Sequence, residues 1–209
     1  VYRKEFKEKG GYVIYDMTPA QSGRATDAKR GFRLDDNRRS AVVSDEVTLA
    51  KQNSDVYWFM QTKADIEVVS NQEVILSIGS KKVRIRFLTN ADDINITYGG
   101  AKPLEGTSDF AEQADNEALG YKRLCVKMKA SVSMYIQANF TAVGDLSDDA
   151  ANENKALADW AAPDGKLEKM PVVSNISVNG ETVNDFTPTP VSYDCMVEDM
   201  NNKPPVTVT

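Results

Sequence analysis

The chain reads as all-β: an antiparallel, supersandwich-like β-sandwich with a small Ig-like β module at its C-terminal end. Three observations carry that reading. Apolar residues recur with a period of two along many short segments, as in Val83-Arg84-Ile85-Arg86-Phe87, where one face is apolar and the other cationic. These segments are separated by Gly, Asn, Ser and Pro rather than by helical patterns. A composition that is 41% hydrophobic and 27% charged is that of a folded domain, not of a disordered chain.

The elements follow in order. Residues 11–18 form an apolar and aromatic strand stopped by Pro19. Residues 21–37, rich in Gly, Arg, Lys and Asp, read as a loop around a short strand at 32–34. Residues 41–49 alternate, with Val43, Val47 and Leu49 on one face and Ser44, Glu46 and Thr48 on the other. Residues 56–69 read as one long strand with Val56, Trp58, Met60, Ala64, Ile66 and Val68 in phase. Gly79-Ser80 predicts a tight hairpin between strands at 74–78 and 83–88. A strand at 94–98 precedes an acidic loop over 101–120 with one helical turn near 110–118. Strands at 121–129 and 131–143 then complete a sandwich domain spanning 1–143.

Beyond Gly144 the composition shifts to Ala, Asp, Asn, Glu and Lys, which predicts a linker over 144–170 with a short helix at 148–160. Pro171 restarts the β pattern, and residues 171–209 read as a small module with a turn at Asn179-Gly180. The opening Val1 and the closing Val206-Thr207-Val208-Thr209 suggest a piece of a longer polypeptide.

Composition also narrows function. The chain has no histidine, the side chain best suited to acid–base work near neutral pH and the commonest metal ligand. Its net charge of −6 argues against nucleic acid as a partner. No apolar run approaches the about 18 residues of a membrane span. Cys125 and Cys195 are too few for a disulfide framework, and Cys125 reads as a buried thiol within a strand. Phosphate-binding loops, zinc spacings, calcium loops and nucleophile elbows are absent from the sequence, so no cofactor and no catalytic residue is expected.

The segment from 12 to 49 carries Asp16-Met17-Thr18-Pro19-Ala20, then Arg30-Gly31-Phe32-Arg33, then Val42-Val43-Ser44-Asp45-Glu46-Val47. Trp58-Phe59-Met60-Gln61-Thr62 and Ile66-Glu67-Val68 follow, and then a hairpin with Leu76, Gly79 and Lys81-Lys82-Val83. Over roughly residues 11–143 this order resembles the C-terminal β region of heparinase II/III-like polysaccharide lyases. The resemblance implies a secreted, periplasmic or cell-surface setting. It also implies a sandwich that shares an acidic-glycan cleft with an upstream helical toroid, where the Tyr and His groups of β-elimination reside. Gln21 departs from the aromatic that the family favours there. Residues 171–209, with Phe186-Thr187-Pro188, Tyr193 and Pro204-Pro205, resemble Ig-like modules of secreted glycan-degrading proteins of Bacteroidetes-type bacteria.

The glycan-contact candidates are Arg24, Lys29, Arg30, Arg33, Arg38 and Arg39, because a guanidinium fork matches carboxylate and sulfate groups. Asp27, Asp35 and Asp36 offset half of that charge locally. Trp58, in phase with Val56 and Met60, belongs to the core, which places Tyr57 and Phe59 on the opposite face as a second pair of candidates. Lys81, Lys82, Arg84 and Arg86 read as a solvated, edge-protecting face. Two functions remain: a non-catalytic sandwich region that packs on the catalytic domain of a longer lyase and contacts acidic polysaccharide, or a stand-alone carbohydrate-binding or adhesion module.

Overall fold

The computed structural model describes residues 1–35, 40–102, 116–143, 153–166, 176–178, 181–182 and 206–208. It confirms an all-β, sandwich-type architecture and divides into two compact units, Val1–Leu167 and Glu168–Thr209. The first unit contains β1 (Arg3–Phe6), β2 (Gly11–Asp16), β3 (Ala25–Asp35), β4 (Ser40–Leu49), β5 (Ser54–Thr62), β6 (Asp65–Val68), β7 (Glu73–Ile78) and β8 (Lys81–Thr89). β9 (Asp92–Gly100), β10 (Lys122–Ala130) and β11 (Ser133–Ala142) complete it. In the second unit β12 (Ile176–Val178), β13 (Glu181–Thr182) and β14 (Val206–Val208) pair antiparallel in the order β13-β12-β14.

The first unit has two layers of unequal width. Eight strands pair in the order β1-β2-β3-β4-β11-β8-β7-β6, and three in the order β5-β10-β9, every pairing antiparallel. Alternation dictates what lies between them, because residues directly opposite in a ladder share a face. Ile85 and Phe87 of β8, Met134, Ile136 and Ala138 of β11, and Val74 of β7 meet Trp58, Ile96, Leu124, Val126 and Met128 of the smaller sheet. Trp58 packs edge-on against Phe87 with ring centroids 5.3 Å apart. The tight turn reads as expected: Ile78 pairs with Lys81 across two residues, and Gly79 supplies the positive φ of 57° that such a turn requires.

The opposite face of the larger sheet is closed in part by residues 153–166. Leu157 and Trp160 form a second core with Tyr12, Ile14 and Val42. Arg3 of β1 grips this strap by donating to the carbonyls of Ala158 at 2.8 Å, Leu157 at 3.1 Å and Trp160 at 2.5 Å. Glu46 accepts from the Leu157 amide at 2.7 Å, and Glu5 from the Ala162 amide at 2.9 Å. The expected linker helix is therefore different where it is described: residues 153–166 run extended, with a single 3-10 turn at Leu157–Asp159, and are bonded to the sheet. Residues 148–152 lie outside the described part. The apolar Leu157, Trp160 and Ala162 are the physical reason, since they bury on the sheet more area than a free linker would.

Two further expectations change. The basic segment read as a loop around a short strand at 32–34 is the long strand β3, paired with β4 from Ala25 to Asp35 apart from a bulge near Thr26, and with β2 from Lys29 to Leu34. The stretch read as one strand over 56–69 is two strands in different sheets, with the chain crossing between layers at Lys63-Ala64. Ala64 is buried at that crossing, so the apolar phase continues across the break and disguises it. The acidic loop and the turn near 110–118 fall largely on residues outside the described part.

Gly31 is where strap and sheet touch. A Cβ there would lie 2.5 Å from Leu157 Cδ2 and 2.6 Å from the Trp160 ring. Gly31→Ala is expected to lift the strap and to destabilise the first unit by about 1–3 kcal/mol, the usual cost of overpacking. Urea unfolding measures the loss. A red shift of Trp160 emission, absent from the same substitution in a Trp160→Phe background, locates it.

Candidate functional site

β3 determines the site because its alternation sends its basic residues in two directions. Ala28, Arg30, Phe32 and Leu34 share a face with Val43, Asp45 and Val47 of β4, toward the smaller sheet. Lys29, Gly31 and Arg33 share the strap face with Ile14, Tyr12 and Val42. The smaller sheet stops at β5, which lies over β4 and β11, so β3, β2 and β1 project past its edge.

Where the edge of β5 borders β3 there is a cleft of about 480 Å³. Ala28, Val47, Met134 and Ile136 form its floor, and Arg24, Arg30 and Asp45 its polar wall. Tyr57, Trp58 and Phe59 close the β5 side. Arg30 and Asp45 are directly opposed across β3 and β4 and form a bidentate pair, Nε to Oδ1 at 2.6 Å and Nη2 to Oδ2 at 2.9 Å. Burial raises the Asp45 carboxyl above the ordinary carboxylate range, and the Arg30 guanidinium opposes that shift. The Trp58 indole N–H is directed at the same carboxylate but falls short of hydrogen-bond geometry, so Arg30 alone carries the pairing.

The basic candidates therefore do not converge as one site. Arg24 and Arg30 reach the cleft, and Arg24 is exposed, with no ion pair among the described residues. Lys29 binds Asp27 at 2.6 Å, which raises its pKa. Arg33 stacks over the Trp160 ring at 4.7 Å on the strap face. Arg38 and Arg39 lie outside the described residues. Of the hairpin cations, Arg84 and Arg86 pair with Glu73 at 3.3 Å and 3.2 Å.

Tyr57 and Phe59 stand on the outer face of β5 with near-parallel rings 6.0 Å apart, both about 40% exposed. Arg123 and Lys127 of β10 lie over them, at 5.6 Å from the Phe59 ring and 5.7 Å from the Tyr57 ring. Sequence reasoning missed this pair of cations and the cleft carboxylate Asp45. The signal was present: Arg123, Cys125 and Lys127 alternate on one face of a strand, and Asp45 is in phase with Val43 and Val47. Cys125, buried between the two cations, is a free thiol whose pKa is raised by desolvation, which suppresses its reactivity.

Farther along β3, the same sheet face is apolar and is left open by the described residues. Phe6, Gly11, Val13, Phe32, Leu34, Ala41 and Val43 line a groove of about 480 Å³. Phe6 is 68% exposed, Phe32 41% and Leu34 45%. Among the described residues no three His, Cys, Asp or Glu side chains converge as metal ligands, and no helix is long and apolar enough to cross a membrane. No protein-family model matches the chain, and no curated protein matches it.

Removing Arg30 would leave a carboxylate in the cleft wall without its counter-charge. Arg30→Ala is expected to destabilise the unit by about 2 kcal/mol at pH 7, less than for a fully buried pair because the Arg30 side chain is partly solvated. The sign of the pH dependence follows from the raised folded-state pKa. At pH 3 both states hold the proton and the cost is small. It grows as pH rises through the wild-type folded-state value, because there Arg30 lets the wild-type carboxyl ionise while the variant's, without its counter-charge, stays protonated until higher pH. Thermal unfolding of both proteins from pH 3 to pH 7 measures this divergence.

Proposed function

We propose that this chain is a non-catalytic β-sandwich region of a secreted or periplasmic heparinase II/III-like polysaccharide lyase, serving as a wall on which the catalytic helical domain packs. The observation that carries the reading is the bare apolar face of β1–β4. Soluble domains seldom leave Phe6, Val13, Phe32 and Leu34 together on an open sheet, and a severed or unfilled interface leaves such a patch. The order of motifs from Asp16 through Val83 supports the family assignment. Within that wall Arg24 is an exposed cation in no ion pair among the described residues, and so is available to an acidic polysaccharide. The parent's reaction would be β-elimination: a base removes the proton α to the uronate carboxylate, the C–O bond at the β carbon breaks, and an acid protonates the departing oxygen. No residue of this chain is assigned a part in those proton transfers.

One observation favours the alternative of a stand-alone carbohydrate-binding module. The Tyr57–Phe59 pair offers flat apolar faces beside the Arg123 guanidinium, while Lys127 is offset by Asp55 at 2.9 Å, an arrangement that suits a sugar ring carrying an anionic group.

Two measurements separate the readings. A hydrophobic reporter dye is expected to bind the folded chain and to lose most of its signal in Phe32→Thr/Leu34→Thr, with thermal stability unchanged. An unaltered dye signal would overturn the packing role. Calorimetric titration with heparin, chondroitin sulfate and polygalacturonate is expected to give weak, salt-sensitive binding that Arg24→Ala reduces about threefold or more. Tight binding abolished by Tyr57→Ala but not by Arg24→Ala would establish the stand-alone module instead.

A further inference from the structure

The two grooves are parts of one strip. Ala28 and Arg30 face the cleft beneath β5, and Phe32 and Leu34 continue the same row of β3 into the apolar groove. β3 spans 11 residues, so the strip is about 35 Å long at roughly 3.3 Å per residue. Along its cleft end runs the edge of β5, whose only sheet partner among the described residues is β10. Half of the β5 backbone N–H and C=O groups therefore point over the strip rather than into a ladder. The gap has the dimensions of an absent strand: neighbouring strands lie about 4.8 Å apart, and a strand added to β5 would cover β3 at the normal sheet-to-sheet distance of about 10 Å.

A second copy joined β5 to β5 about a two-fold does not fit. The larger sheet of each copy reaches about three strand spacings past β5, so the two would meet in one layer. Charge indicates what does fit. The cleft end of the strip presents Arg24, exposed and in no ion pair among the described residues, on a chain of net charge −6.

We propose that this strip seats one β-strand of the partner domain. That strand hydrogen-bonds to the open edge of β5, turns alternate apolar side chains onto Phe32 and Leu34, and presents a carboxylate to Arg24. The inference rests on the packing role proposed above and specifies its mode: strand addition rather than contact of two smooth faces.

The probe is a capped nine-residue peptide alternating valine with threonine or lysine and ending in aspartate, titrated into the 15N-labelled chain. Two derivatives carry N-methyl groups on alternate amides, one along each edge of the peptide. Expected is slowed hydrogen exchange at β5 amides but not at β9, and a loss of affinity of tenfold or more from one methylated derivative only, since one edge of the added strand faces β5. Arg24→Ala is expected to weaken binding about fivefold, with no further loss when the peptide aspartate is also replaced by asparagine. Equal effects of the two derivatives would overturn strand addition, and if the peptide still displaced the dye the packing role would stand. Absence of binding, protection at β9 instead, or a peptide-free dimer that protects β5 would overturn the proposal. A chain on which neither peptide nor dye binds would overturn the packing role as well.

Discussion

A sheet must cover both faces, and among the described residues of this unit the eight-stranded sheet is covered by three strands on one side and a short strap on the other. That inequality of width is the constraint on which the other features depend. Where the two sheets face each other the core is closely packed, with Val74, Ile85, Phe87, Leu124, Val126, Met128 and Ala138 fully shielded. Where it ends, at β3, a charged pair, a cleft and an open apolar face appear in sequence. The candidate site is thus the margin of the core and not a pocket carved into it.

The strap shows how the same constraint is met on the other face. It forms no ladder, so its carbonyls need donors, and the Arg3 guanidinium supplies three of them from a single side chain. Arg33 lies over the Trp160 ring, and Tyr12 meets that ring edge-on at 6.1 Å. Two of the most basic-looking positions in the sequence, Arg3 and Arg33, are therefore structural. Arg30 is committed to Asp45 in the same way. A count of cations overstated the charge available to a ligand, because each guanidinium is also the best available partner for a nearby carbonyl, ring or carboxylate.

Much of the architecture could be read from residue order alone. Strands such as β4, β8 and β11 announce themselves because one face is apolar and the other polar. β3 does not, because its neighbours disguise it: Arg30 pairs within the core margin, Gly31 makes room for Trp160, and Phe32 and Leu34 face open space. A strand that half-buries an arginine and exposes a phenylalanine has no readable phase. The break between β5 and β6 was hidden for the opposite reason, since Ala64 keeps the phase through the crossing. The placement of Tyr57 and Phe59 opposite Trp58 was legible because period two leaves no other arrangement. Which cations would join them was not, because that depends on β10 being the neighbour of β5.

Arg3 and Trp160 are separated by 157 positions, and their contact closes nearly the whole first unit into a ring. A contact at that separation repays its loop-closure entropy only once the intervening strands are in place. The strap is thus a late-forming closure that cannot guide assembly and can open without dissolving the sandwich. Its release would uncover Tyr12, Ile14 and Val42, leaving the outer strands of the larger sheet bare on both sides at once.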